Sequence, residues 1–118
     1  MDVAKFVSIV MFSSQQAHVF HLQTPSYAQH KALEDYYTGV VGLIDSYVEV
    51  YQGTYMKIIR PVRSGTIIND PRKALSYFIK LKKTLKTMRT PTDSHLRNIQ
   101  DTIMELVSST IYKLKFLS

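Results

Sequence analysis

His21, His30, Glu34, Asp45 and Glu49 are the side chains whose types and spacing point to chemistry. His30 and Glu34 stand four residues apart, as do Asp45 and Glu49. On a helix each pair projects from neighbouring turns of one face. Glu34 and Asp45 are eleven residues apart, close to three whole turns, which puts both pairs on one stripe. Imidazole with carboxylate is a ligand set for iron, zinc or manganese, and oxygen-rich sites favour the harder metals. The pair midpoints lie fifteen residues apart, about 22 Å along a helix axis. One helix therefore cannot bring both pairs to one metal. An antiparallel two-fold partner would set Asp45 and Glu49 of one subunit opposite His21, His30 and Glu34 of the other, giving two equivalent sites. The plainer reading is structural: Asp45 and Glu49 repel by about 0.2–0.5 kcal/mol at this spacing, and single histidines near helix ends are commonly exposed or structural.

Four helices are expected to position these groups. In the first, from about residue 3 to 23, Val3, Phe6, Val7, Val10, Ser14, Ala17 and His21 recur at three- and four-residue steps. Thr24-Pro25-Ser26 breaks it, with Thr24 as the cap and Pro25 at the first position of the next helix. The second runs from about 25 to 52, carries Leu33, Tyr37, Val40, Val41, Ile44, Val48 and Tyr51, and stops at Gly53. Gly39 and Gly42 lie inside it, where they would allow close helix approach at about 1 kcal/mol each. Residues 54–69 form the longest connection, either extended or holding a short helix. Asn69-Asp70-Pro71 opens the third helix (Leu75, Phe78, Leu81, Leu85, Met88), and Thr92-Asp93 caps the fourth (Leu96, Ile99, Ile103, Leu106, Thr110, Leu114, Leu117). Two helices, one long crossover and two more helices predict an all-α, ferritin-like four-helix bundle in a single domain spanning 1–118.

Composition narrows the options. The 118 residues fit one domain, and the absence of cysteine excludes thiolate metal sites, disulfides and cysteine nucleophiles. The apolar start, with little charge and no clear cleavage site, reads as a helix rather than a leader. No run of about 18 apolar residues predicts a membrane span. The net charge is +6, with cations concentrated between Lys57 and Arg97. Lys73, Lys80, Lys82, Lys83 and Lys86 could form a face for DNA or another polyanion, or a solvated helix surface. No phosphate loop, nucleophile elbow or EF-hand pattern occurs.

The segment His21-Leu22-Gln23-Thr24-Pro25-Ser26-Tyr27-Ala28-Gln29-His30 resembles the part of Dps proteins, the starvation-type mini-ferritins, that carries their first two histidine ligands. His30-x3-Glu34 is similar to that family's His-x3-Asp, and Asp45-Ser46-Tyr47-Val48-Glu49 to its Asp-x2-Ala-Glu. The resemblance covers about residues 1–53. It implies a ferroxidase-type iron centre of one or two irons, with zinc or manganese as substitutes, shared across a subunit interface. His21, His30 and Glu34 would come from one chain, Asp45 and Glu49 from the other. It further implies a homo-oligomer, up to a dodecameric cage, with iron storage or DNA protection. The chain departs from the pattern in its nine-residue histidine spacing, in Leu22 where tryptophan is usual, and in lacking a basic N-terminal tail. Such compact variants resemble proteins of tailed bacteriophages. That implies a place in the cytoplasm of a bacterial or phage-infected cell, or in a virion, where the bundle would alternatively be a structural component without ferroxidase activity. His18 reads as packed against the core or as an auxiliary ligand. His95 and Glu105 read as structural, and Tyr27, Tyr36, Tyr37 and Tyr47, near the proposed centre, as amphipathic core and interface packing ahead of electron transfer or hydrogen bonding to the centre.

Overall fold

The computed structural model describes residues 1–117. Among them every regular element is helical: α1 (Val3–Gln23), α2 (Tyr27–Tyr55), α3 (Ala74–Lys86) and α4 (Ser94–Phe116), with a 3₁₀ turn at Pro71–Lys73. The apolar stripes of the four helices close on one another. Phe6, Val7, Val10, Phe20, Leu33, Tyr36, Val40, Tyr47, Phe78, Leu96, Ile103 and Val107 are all fully excluded from solvent. Burial of each such side chain contributes about 1.5–3 kcal/mol. Among the described residues no helix is long and apolar enough to cross a membrane.

Helix directions follow from the contacts. Phe6 meets Tyr47, Ser13 meets Tyr36 and His21 meets His30, so α1 and α2 are antiparallel. Asp35 meets Lys113 and Thr54 meets His95, so α4 runs against α2. Phe20 packs on Tyr77, and Asp2 and Arg89 exchange backbone and side-chain bonds, so α3 runs against α1. It follows that α2 and α3 point the same way.

Two helices that point the same way cannot be joined by a tight turn, and residues 57–70 bridge the distance as an extended strap along α1. The strap is held by polar side chains that α1 buries for the purpose. Ser8 Oγ accepts from Val62 N at 2.8 Å and Ser64 Oγ donates to Ser8 O at 2.8 Å. Gln16 donates to Ile68 O at 2.9 Å and accepts from Ile68 N at 2.8 Å. Near the far end Gln23 donates to Asn69 Oδ1 at 3.0 Å. Gly65 lies so close to the Phe12 ring that an added Cβ would sit 3.0 Å from it.

Several local expectations are corrected. Ser26, not Thr24, caps α2, its hydroxyl accepting from Gln29 N at 3.1 Å. Thr24 is extended, as a residue before proline must be, and its hydroxyl is taken by Ser26 N and the Gln29 side chain. Gly53 does not stop α2. The helix continues to Tyr55 and ends at Met56 in the left-handed region (φ 53°), because Thr54 and Tyr55 gain partners in His95 and Asp93 across the bundle. Of the two interior glycines only Gly39 meets another helix, where an added Cβ would lie 3.3 Å from Leu106; Gly42 faces open space. Asp70 caps the 3₁₀ turn rather than α3 itself, and Met88 lies past the end of α3. Asp93 holds the cap position of α4, but its carboxylate accepts from Tyr55 instead of from the helix backbone.

Candidate metal centre

The α1–α2 turn sets the geometry of the centre. His21 is in the last turn of α1 and His30 in the first turn of α2, joined by a corner that Thr24, Ser26 and Gln29 cross-link. Gln29 also donates to Pro71 O at 3.3 Å, tying the corner to the end of the strap. The two imidazoles therefore meet face to face, with centroids 3.7 Å apart and planes inclined by 22°.

Their hydrogen bonds are reciprocal. His21 Nδ1 lies 2.9 Å from His30 O, and His30 Nδ1 lies 2.9 Å from His21 O. A carbonyl oxygen can only accept, so both Nδ1 atoms must carry hydrogen and donate. In the neutral rings this leaves the Nε2 lone pairs free to bind a metal. Orientation of a ligand imidazole through its other nitrogen is a general requirement of metal sites, and here each histidine supplies it for the other.

Glu34, one turn further along α2, completes a cluster. One ligand atom each from His21, His30 and Glu34 can be chosen so that all lie within 4.8 Å of one another. Two ligands bound to one ion at about 2.1 Å can be no more than about 4.2 Å apart, so the cluster needs at most a small contraction to hold one ion. Two imidazoles and one carboxylate, with positions left open, suit Fe(II) or catalytic-type zinc. His21 is buried, while His30 and Glu34 are partly open to solvent. Lys31 Nζ stands 2.9 Å from Glu34 Oε2 and, with lesser help from the two histidines, holds the Glu34 carboxyl below its ordinary range. Glu34 in turn raises the Lys31 ammonium.

The other candidates divide. Asp45 and Glu49 are exposed further along α2 and join no such cluster among the described residues. Tyr37 packs edge-on to His21, centroids 5.2 Å apart, and stacks on the exposed His18 at 4.3 Å. The sequence places Tyr37 near the centre and singles out His18, but not their stacking on each other. Tyr27 flanks His30 at 6.3 Å. Tyr36 and Tyr47 are core residues, bonded to Ser13 and packed on Phe6 respectively. His95 meets Thr54 at 3.0 Å, and Glu105 lines a hollow with Asp101, Lys82 and Lys86. The lysines do not share one face: Lys73 and Lys80 border the groove between strap and α3, whereas Lys82 and Lys86 face those acids of α4.

Residues 21–114 match the model of a family of unknown function, DUF5856, and the chain belongs to that family. The matched span takes in all five proposed ligands. No curated protein and no solved structure matches the chain.

Proposed function

We propose that this member of DUF5856 is a ferritin-like, Dps-type metal protein that takes Fe(II) as substrate and oxidises it at a centre shared between two subunits. The observations that carry the reading are the reciprocal Nδ1 bonding of His21 and His30, which leaves both Nε2 lone pairs uncommitted, and the gathering of ligand atoms from His21, His30 and Glu34 within 4.8 Å of one another. The helix directions favour the ferritin-like part of the reading, since a pole-to-pole crossover between α2 and α3 is what that connectivity requires.

A second copy of the chain would complete the centre. Asp45 and Glu49 are exposed on the helix that carries His30 and Glu34, and an antiparallel partner would bring its pair over the cluster. Exposed apolar side chains on α1, α2 and their corner (Met11 48%, Leu22 70%, Tyr27 75%, Val41 45%) offer the surface such a contact would cover. In the reaction each of two Fe(II) gives one electron to a peroxide, which takes up two protons and leaves as two waters. The role of this chain is to bind and space the ions: His21, His30 and Glu34 from one side, Asp45 and Glu49 from the other. Iron storage in a closed oligomer would follow.

The test compares wild type with an Asp45→Ala/Glu49→Ala double variant. Fe(II) is added without oxygen, then peroxide, and the growth of Fe(III) absorbance is followed, with sedimentation to establish the oligomer. Loss of oxidation in the double variant supports the reading; equal oxidation by both proteins rejects it. A bundle used only as an assembly component is the alternative, and would show neither metal uptake nor oxidation.

A further inference from the structure

Among the described residues the cluster of His21, His30 and Glu34 is made of acceptors once both Nδ1 hydrogens are committed to the backbone. Ligand atoms of the two imidazoles and the Glu34 carboxylate lie within 4.8 Å of one another, and such electron-rich groups repel unless something positive stands by. Lys31 Nζ is that group, 2.9 Å from Glu34 Oε2. We propose that Lys31 is the resident counter-ion of the metal-free centre, which an entering divalent cation must displace, so that Lys31 sets the metal concentration at which the centre fills.

The inference rests on the metal-binding reading above and adds a control to it. Glu34 has one charge to share between the ammonium and an ion. The Lys31 side chain is 47% exposed, so its strongly hydrated head can swing into water on a flexible stem. The same exposure keeps the ion pair weak, of the order measured for surface pairs. Displacement is therefore easy for a divalent ion and selects against monovalent cations, which gain less from the same carboxylate.

Cobalt(II) serves as the probe, titrated into wild type, Lys31→Met, Lys113→Met and Glu34→Gln and followed by calorimetry and visible absorption. Methionine keeps the stem and the helix propensity of lysine; Lys31→Gln is the second variant. Lys31→Met is expected to bind about two- to fivefold tighter than wild type, the range set by an exposed ion pair. The difference should narrow as salt is added. Lys113 pairs instead with Asp35, at 3.4 Å, and its replacement should leave affinity unchanged. Glu34→Gln should lose binding. Equal or weaker binding by Lys31→Met overturns the counter-ion role while leaving the metal centre standing, and an equal gain in Lys113→Met reduces the effect to net charge and overturns it too. Absence of binding in every protein rejects the metal reading itself.

Discussion

His21 and His30 each donate from Nδ1 to the other's backbone carbonyl, both at 2.9 Å, so each ring is held by the main chain of the other residue and by stacking on its ring. The metal-free protein should therefore show both imidazoles with hydrogen on Nδ1 in long-range nitrogen–proton correlation spectra. Removing either ring deletes a ligand but leaves the main-chain oxygen that orients the other ring. It should weaken cobalt(II) binding by at least the roughly 10–100-fold found when only an orienting partner is lost. The double alanine variant should lose more than either single one, because each surviving ring keeps its main-chain acceptor. A single variant that binds as tightly as wild type, or a hydrogen on Nε2 of either ring, would count against the arrangement.

Gln16 answers for the strap. Its side chain is fully buried and pairs with both the N–H and the C=O of Ile68. Gln16→Leu should destabilise by about 1–3 kcal/mol for each polar group left unpaired, read as a lower denaturant midpoint. The Ile68 amide should also exchange with solvent much faster than the amides of α1. An unchanged exchange rate would show that the strap is held by packing alone.

Two buried tyrosines should respond in opposite ways. Ser13 donates its hydrogen to Val10 O, so Tyr36 donates to Ser13 Oγ at 2.6 Å. Tyr36→Phe should cost about 0.5–1.5 kcal/mol. The Tyr47 hydroxyl is buried without a hydrogen-bond partner among the described residues, and burial pushes it up to about 12. Tyr47→Phe should be neutral or should stabilise by up to about 1–3 kcal/mol, the cost of an unmet buried group. Thermal unfolding of the two variants checks both signs; a large loss in Tyr47→Phe would mean that the hydroxyl has a partner in the working protein.

Acid should loosen the fold through two aspartates. The Arg72 guanidinium and backbone hold Asp70 below its reference value of 3.8, and the Tyr55 hydroxyl does the same for Asp93. A depressed carboxyl stabilises the fold above its unfolded value and ceases to do so as pH falls through the folded one. Melting temperature should then fall below about pH 4. Asp70→Asn and Asp93→Asn should each flatten that limb, and an unaltered acid limb in the double variant would place the sensitivity elsewhere.

Helix periods were legible because they depend on local spacing. The stripe from Val3 to His21 and the start of α4 near Asp93 follow from residues a turn apart. The end of α2 was not, since Thr54 and Tyr55 are held helical by His95 and Asp93, about forty positions away. The five ligand candidates could be listed from spacing. What spacing could not show is that the short Thr24–Ser26 corner stacks His21 on His30. That depends on the angle between two helices and on rotamers, which no one-dimensional pattern encodes, whereas the Lys31–Glu34 pair stands three residues apart on one helix, a spacing that does bring side chains together. Of the lysines of α3, Lys80 lines the groove beside the strap, while Lys82 and Lys86 line a hollow with Asp101 and Glu105 of α4.

The strap divides labour within the molecule. It links one helical hairpin, α1 with α2, to another, α3 with α4, and every proposed ligand belongs to the first. The second hairpin acts as a buttress, lending Phe78, Leu96 and Ile103 to the common interior. Substitutions there should change how long the molecule survives heat or denaturant, with little influence on how it handles an ion. Severing the strap would then yield a chemical half and a mechanical half, able to find each other again through the greasy seam they share.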